Sequence, residues 1–481
     1  MALKANKTKA KVKKRTKSLK NKNEFAKGNF FIRNKDLIKR IVFTLLVLVI
    51  IRAGTLLTVP GVSLSSDFQN SIGNQEFFQL LSTLGGGSIG QFSIIALGVS
   101  PYITASIIVQ LLSTDVIPVL TRWNKSGERG RRKLDRLTKV LTIPFAVMQS
   151  TATIFTLSSQ GLISAKWSTN ELGTGPSWFY YLLIPMVMLG GTFLMLWIAD
   201  QITIKGIGNG ISIIIFAGIV AQMPNNFKST FQFWVKGNED ATILFDGILK
   251  FIIYVVAFLL VIFIVVLMNE AERKIPIQQT GSGLVDTKEH TPHLPLKINN
   301  AGVIPVIFAS AIISTPMTVA QIIGANNPQN GFVLFTQSYL SFGTWWGIAI
   351  YGVLTILFTF LYAQVQINPE KIAENFKKSG TFIPGIKPGK DTEKFIQGTV
   401  NRLSILGSIF LAWIAILPYI ISKLISLPSS LAIGGTGLII VISVAIQTVQ
   451  QLKGRLIQQS FLDKKDDKFT KTVDEHNSHI W

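Results

Sequence analysis

Apolar residues in this chain gather into runs of about 20, the length a helix rising 1.5 Å per residue needs to cross a hydrocarbon layer about 30 Å thick. Ten such runs lie at about 37–58, 92–113, 137–159, 178–199, 209–224, 247–268, 300–321, 342–365, 402–422 and 433–452. Each predicts a membrane-spanning helix, because a helix satisfies its own backbone hydrogen bonds where no water is available. The expected fold class is therefore an all-α polytopic membrane protein with ten transmembrane helices. Between the first two runs, Glu76-Phe77-Phe78-Gln79-Leu80-Leu81-Ser82-Thr83-Leu84-Gly85-Gly86-Gly87 is moderately apolar but too short to span. Its pattern favours an amphipathic helix on the outer surface. The alternative is a half-helix folded into the bundle, where protein or water satisfies its ends.

Composition agrees with this class: 48% of residues are hydrophobic and only 15% are charged, which excludes an ordinary soluble globule. The 47 Lys and Arg against 25 Asp and Glu give a net charge of +22, a value that alone suggests a nucleic-acid binder. Its distribution suggests topology instead. Fifteen basic residues precede position 41, eight lie from Arg122 to Lys139, seven from Lys371 to Arg402 and six from Lys453 to Lys471. The alternate gaps hold none between Thr58 and Gln91, then Lys166, then Lys228 and Lys236, then none, then Lys423. Basic short loops stay in the cytosol, so both termini are expected there. Residues 1–36 are expected to be an unpacked basic extension rather than a cleavable signal peptide, since the basic region is too long and no small-residue cleavage site follows.

Candidate chemistry is sparse. With no cysteine there is no disulfide, thiolate nucleophile, Cys-based zinc site or iron-sulfur cluster. Ionisable residues are nearly absent from the apolar runs, which weighs against an ion-coupled pump. Arg52 is expected to snorkel outward from the first span, Lys250 lies near the outer start of the sixth, and Asp200 ends the fourth. Gly385-Ile386-Lys387-Pro388-Gly389-Lys390-Asp391 is one residue short of a phosphate loop and has Asp where Ser or Thr would meet magnesium. Gly206-Ile207-Gly208-Asn209-Gly210 has no strand before it, and His290 and His293 lack a third ligand. No catalytic residue, metal or cofactor is expected, so energy for transport comes from a separate motor or a gradient.

Taken together, the loops and spans resemble the SecY/Sec61-alpha family, over about residues 37–455. The resemblance rests on Val59-Pro60-Gly61, Ala96-Leu97-Gly98-Val99-Ser100-Pro101-Tyr102, Gly127-Glu128-Arg129-Gly130-Arg131-Arg132-Lys133 and Gly206-Ile207-Gly208-Asn209-Gly210. It continues through Leu294-Pro295-Leu296-Lys297, Gly302-Val303-Ile304-Pro305, Phe382-Ile383-Pro384-Gly385 and Gly434-Gly435-Thr436-Gly437, in the family's order relative to the spans. The resemblance implies two inverted-repeat halves, 37–224 and 225–455, closing like a clamshell around an hourglass pore, with a cytosolic tail at 456–481. It makes the segment at about 75–90 a plug, with Phe77, Phe78, Leu81, Leu84, Gly85 and Gly86, reversing the preference drawn from pattern alone. It places Val99, Ile103, Ile211, Ile215, Ile307 and Ile440 in a pore ring, where aliphatic side chains block ions without holding a passing polypeptide.

The resemblance also places Thr104, Gln110, Asn299 and Thr315 at a lateral gate between the second and seventh spans. The cytosolic loops at about 269–298 and 367–401 become docking surfaces, with Arg273, Lys274, Lys377, Lys378 and Lys387 as contacts. Lys387 stands where the family commonly has Arg, keeping the charge without the bidentate fork, and Gln279-Thr280-Gly281-Ser282 also departs from the family pattern. Implied partners are SecE, SecG, the SecA ATPase, the ribosome including its RNA, signal-bearing preproteins, membrane lipids, SecDF and YidC. The function implied is a plasma-membrane protein-conducting channel that releases membrane segments sideways. The competing reading is a small-solute secondary transporter, a class that also has ten spans and inverted repeats.

Overall fold

The computed structural model describes residues 35–65, 78, 89–113, 117–165, 177–235, 241–279, 292–424 and 435–478. Each expected span has a helix among them. These are α1 (Lys35–Thr55), α2 (Ser100–Leu112), α4 (Glu128–Ser159), α5 (Ser177–Lys205), α6 (Gly210–Val235), α7 (Ala241–Glu270), α8 (Ile304–Asn326), α10 (Trp345–Gln366), α12 (Lys390–Leu424) and α13 (Gly435–Ser478). Three shorter helices connect them: α3 (Pro118–Lys125), α9 (Gly331–Tyr339) and α11 (Pro369–Ser379). Eight of the described helices are long and apolar enough to cross a membrane; α1 carries too many charges to meet that standard, and α2 is too short. Among the described residues, strands are confined to three short antiparallel pairs: β1 (Val62–Leu64) with β2 (Ile163–Ala165), β3 (Glu272–Pro276) with β5 (His293–Lys297), and β4 (Gln278–Gln279) with β6 (Thr381–Phe382).

The second span differs from expectation. Instead of a helix over 92–113, residues 92–99 form successive turns and α2 covers only 13 residues, about 20 Å. The cause is local. Gly98 takes a positive φ of 54°, which helical geometry forbids, and Pro101 lies in the first turn, where its missing N–H costs nothing. The turn residues are nevertheless buried, so their backbone groups need partners. Ala96 N donates to Ser93 O, Gly98 N to Ile95 O and Ser100 N to Leu97 O, while Val59 N reaches Phe92 O and Ile94 N reaches Leu57 O.

The chain forms two compact units. One comprises Met1–Ile50, Ile198–Gly210 and Ala445–Trp481; the other comprises Ile51–Trp197 and Ile211–Val444. In the first unit, the 206–210 glycine motif is a tight backbone turn. Ile207 N donates to Thr44 Oγ1 at 3.2 Å, Gly210 N donates to Thr203 Oγ1 at 2.8 Å, and a Cβ on Gly206 would collide with the Thr44 hydroxyl. The motif thus serves close packing of backbone rather than a phosphate.

In the second unit, a core of Val59, Phe78, Ile89, Phe92, Ala96, Leu97, Ala146, Ile154 and Met188 holds the turn segment in place. Arg52 finds protein partners instead of snorkelling: its guanidinium donates to the carbonyls of Ala217 and Gly218, each at 3.0 Å, giving the charge acceptors where water is scarce. Gly191 on α5 allows a close approach to the turn segment, because a Cβ there would run into the Ile94 carbonyl. Gly191→Val should therefore destabilise the protein by about 1–3 kcal/mol, the usual cost of overpacking. Thermal unfolding in detergent checks this as a lowered midpoint; an unchanged midpoint would contradict the close approach.

Candidate functional site

The six expected ring residues all lie in the second unit. Val99 is the N-cap of α2 and Ile103 lies one turn further on; Ile211 and Ile215 are likewise one turn apart on α6. Val99, Ile103, Ile215 and Ile440 are buried, at 0%, 9%, 3% and 1% exposure, while Ile211 and Ile307 are half-buried. Side chains directed outward are far more open, as with Val256 at 58% and Ile409 at 57%. Burial therefore removes the lipid-facing alternative for four of the six. Of the expected plug residues, Phe78 is described and is fully buried against the turn segment, so this side chain does not lie on a surface. Phe77, Leu81, Leu84, Gly85 and Gly86 lie outside the described residues.

Each of the four expected gate residues makes a side-chain bond to a residue outside the set. Thr104 Oγ1 donates to Ser100 O and Thr315 Oγ1 to Ala311 O, each within its own helix. Gln110 is exposed and donates from Nε2 to Ser106 Oγ at 3.0 Å. Asn299 is buried and donates from Nδ2 to Asn269 Oδ1 at 3.0 Å, while Asn269 Nδ2 donates to Val265 O in α7. The backbone beside Asn299 also packs on α12, since a Cβ on Gly407 would press on the Ile298 carbonyl. Asn269 did not emerge from sequence patterning. Its signal is an amide at the end of an otherwise apolar run.

Beside these residues lies a cavity of about 670 Å3 walled by α2, α4, α8 and α10. Its lining combines Gln110, Arg131 and Asp135 with Phe308, Phe358 and Tyr362. Tyr102 Oη donates to Asp135 Oδ1 at 3.2 Å, and Lys139 pairs with the other oxygen of the same carboxylate at 3.1 Å. The cavity is thus polar at one wall and aromatic at another, a combination suited to an amphipathic occupant.

The two loops expected to serve as docking surfaces form one structure. Pairing of β4 with β6 joins them, and Ile275 and Leu296 from the first share a core with Ile383, Ile396, Val400 and Leu403 from the second segment and the start of α12. Within the second loop, Asn368 caps α11 by accepting from Lys371 N at 3.0 Å, and Gly380 ends it with φ 64°. Gly385 and Gly389, at φ 82° and 109°, allow the Pro384–Gly389 turn before α12. Arg273, Lys274, Lys377, Lys378 and Lys387 are all exposed on this platform. Lys274 pairs with Glu272 and Lys378 with Glu374, whereas Arg273, Lys377 and Lys387 make no ion pair among the described residues. The hydrogen bond and charge of Lys378 hold the Glu374 carboxyl below its ordinary range, so this exposed pair persists through that range and is lost only as pH falls further, through the lowered value.

The chain shares its fold with a solved protein-conducting channel, aligning at a TM-score of 0.62 and 19% identity and covering 88% of this chain and 93% of that one. Two further solved structures share the fold, each at 18% identity and the same coverage. One is a SecY protein whose plug domain stabilises the closed state of its translocation channel and maintains a membrane seal, at a TM-score of 0.61. The other is Sec61 in the canine ribosome-channel complex, at 0.60. The SecY family profile matches residues 93–449. The sequence is 71% identical over 467 residues to protein translocase subunit SecY of Mycoplasma capricolum, spanning 96% of each chain, and 42% identical over 437 residues to its counterpart in Bacillus subtilis, spanning 90% and 97%. The chain belongs to the SecY family, a family of multi-pass membrane channel subunits rather than enzymes.

The shared core yields a direct test of the platform. Ile383→Ala removes a buried side chain, costing about 2–5 kcal/mol, and should loosen the first loop as well as its own. Limited trypsin digestion should then cleave faster at Arg273 and Lys274. Unchanged cleavage there would mean that the loops behave independently.

Proposed function

We propose that this chain is the pore subunit of a protein translocase, passing unfolded preproteins across the plasma membrane and releasing membrane segments sideways into lipid. The observation that carries this reading is the 71% identity to a named translocase subunit over 96% of both chains. Residues 37–224 and 225–455 are the two halves, and both termini, with the platform, face the cytosol. SecA or a translating ribosome drives the chain through from the platform, with SecE and SecG as fellow subunits and SecDF and YidC as further partners. The ribosome complex of the structurally similar Sec61 supports the ribosome as a partner. The exposed Arg273, Lys377 and Lys387 supply donors suited to ribosomal phosphate or to acidic side chains on a motor.

The seal is the ring of Val99, Ile103, Ile211, Ile215, Ile307 and Ile440, together with the plug. Its aliphatic walls resist hydration and offer no fixed hydrogen bonds to a passing chain, so they exclude ions and release polypeptide. The buried state of four of these residues supports the assignment, and burial of Phe78 against the turn before α2 supports the plug. The lateral gate lies along α2 and α8, with Thr104, Gln110, Asn299 and Thr315 among its residues.

Two outcomes follow. Reconstituted with SecE in liposomes, the protein should give SecA- and ATP-dependent protection of a preprotein from protease; absence of protection together with saturable uptake of a small solute would overturn the reading. Ile103→Asp or Ile211→Asp should raise resting ion conductance roughly tenfold or more, because a carboxylate hydrates the constriction. Unchanged conductance in planar bilayers would remove those residues from the seal.

A further inference from the structure

Between α8 and α10 the chain forms α9, a nine-residue helix with no charged residue. Asn330 caps its start by accepting from Phe332 N at 2.9 Å, and the buried Thr336 hydroxyl donates to Phe332 O at 2.8 Å. Val333 packs on the end of α8, where a Cβ on Gly324 would meet one of its methyl groups at 3.3 Å. The apolar part of α8 ends at that same Gly324, so α9 lies at the membrane boundary rather than beyond it.

The other end of α9 is held as well. Phe342, just past the helix, is buried and stacks on Tyr419 of α12 with ring centroids 4.8 Å apart. Lys423 Nζ donates to Gly343 O at 2.8 Å and lies 4.6 Å from the Trp345 ring centroid. Tethered on both sides, α9 cannot roll to bury a different flank. Val333 and Thr336 are its buried residues, whereas Phe332, Phe335 and Tyr339 are exposed at i, i+3 and i+7 spacing, with the Phe335 and Tyr339 rings 5.1 Å apart. With about 3.6 residues per turn, the exposed Gln337 lies on the side opposite this aromatic stripe.

Three aromatic side chains along one exposed flank are unfavourable in water. They suit the boundary between headgroups and acyl chains, where the exposed Trp345 and Trp346 at the start of α10 belong by the same rule. That pair also continues the exposed apolar surface of α10, which includes Val353 and Leu357. We propose that α9 is an interfacial helix whose Phe332, Phe335 and Tyr339 stripe is immersed in lipid, mooring the end of α8 to the outer leaflet. Because α9 carries no charge, apolar burial rather than attraction to anionic headgroups supplies the binding. The lipid contact requires only a membrane-spanning chain; the choice of the outer leaflet rests on the orientation in the translocase reading above.

The natural chain has no cysteine, so one introduced cysteine carries a nitroxide at a unique position. Phe332→Cys, Phe335→Cys and Gln337→Cys are compared in the full chain, assembled with its partner subunits in phosphatidylcholine vesicles with and without phosphatidylglycerol. The measurement is EPR power saturation with oxygen, which concentrates in bilayers, and with a nickel chelate, which stays in water. Positions 332 and 335 should admit oxygen and exclude the chelate, at a depth of about 5–10 Å. Position 337 should show the reverse, and both lipid mixtures should give the same result. Chelate access at 332 and 335 equal to that at 337 would overturn the proposal, and so would exclusion of both reagents there, the mark of a protein neighbour. Should either stripe variant fail to assemble, Tyr339→Cys replaces it. A membrane-impermeant maleimide should label Gln337→Cys in intact cells. Labelling only after lysis would overturn the orientation in the translocase reading and the outer leaflet with it, a result distinct from loss of the lipid contact.

Discussion

Every backbone amide and carbonyl in the hydrocarbon region must find a partner inside the protein, and the remaining features of the fold follow from that constraint. Long helices meet it automatically. The segment before α2 meets it differently, through successive turn bonds and through Val59 N to Phe92 O and Ile94 N to Leu57 O. Because the chain is non-helical there, it can stop short of spanning and place Val99 at the start of α2. A continuous helix would have placed Val99 and Ile103 in mid-span and left no room for the turn segment. Arg52 obeys the same rule, with two α6 carbonyls supplying the acceptors that lipid cannot.

Outside the hydrocarbon, water relaxes the constraint, and strands become possible. The β4–β6 pair and the Ile275, Leu296, Ile383 and Ile396 core combine two loops into a platform whose basic side chains stand on a common base. Because α12 begins within this core and continues as a 35-residue helix, a load applied to the platform acts on a rigid element that enters the membrane. The exposed charges of the platform and the buried aliphatic side chains of Val99, Ile103, Ile215 and Ile440 thus belong to regions governed by different solvents. Asn299 lies where they meet, held by Asn269 at the end of α7.

Much of the architecture was legible in hydropathy, since a 20-residue apolar run has few alternatives to a spanning helix. The second span was misjudged in length because an averaging window registers the apolar character of 92–99 but not the positive φ of Gly98. Pairing of Gln278 with Phe382 could not be read either, because no local periodicity links residues about a hundred positions apart. For the ring, sequence supplied aliphatic residues in a chain full of them, and only resemblance selected six; burial then separated four from the lipid-facing population. Asn269 was missed because a polar residue in an apolar run reveals its partner only in three dimensions.

A preprotein in transit is expected to pass through the proposed aliphatic ring. A photoreactive amino acid at Ile307, in protein holding a preprotein arrested halfway across, tests this most directly. A cross-linked adduct with the preprotein is expected, and it should disappear when the preprotein is released. Adducts with lipid alone, in the presence of an arrested preprotein, would contradict it.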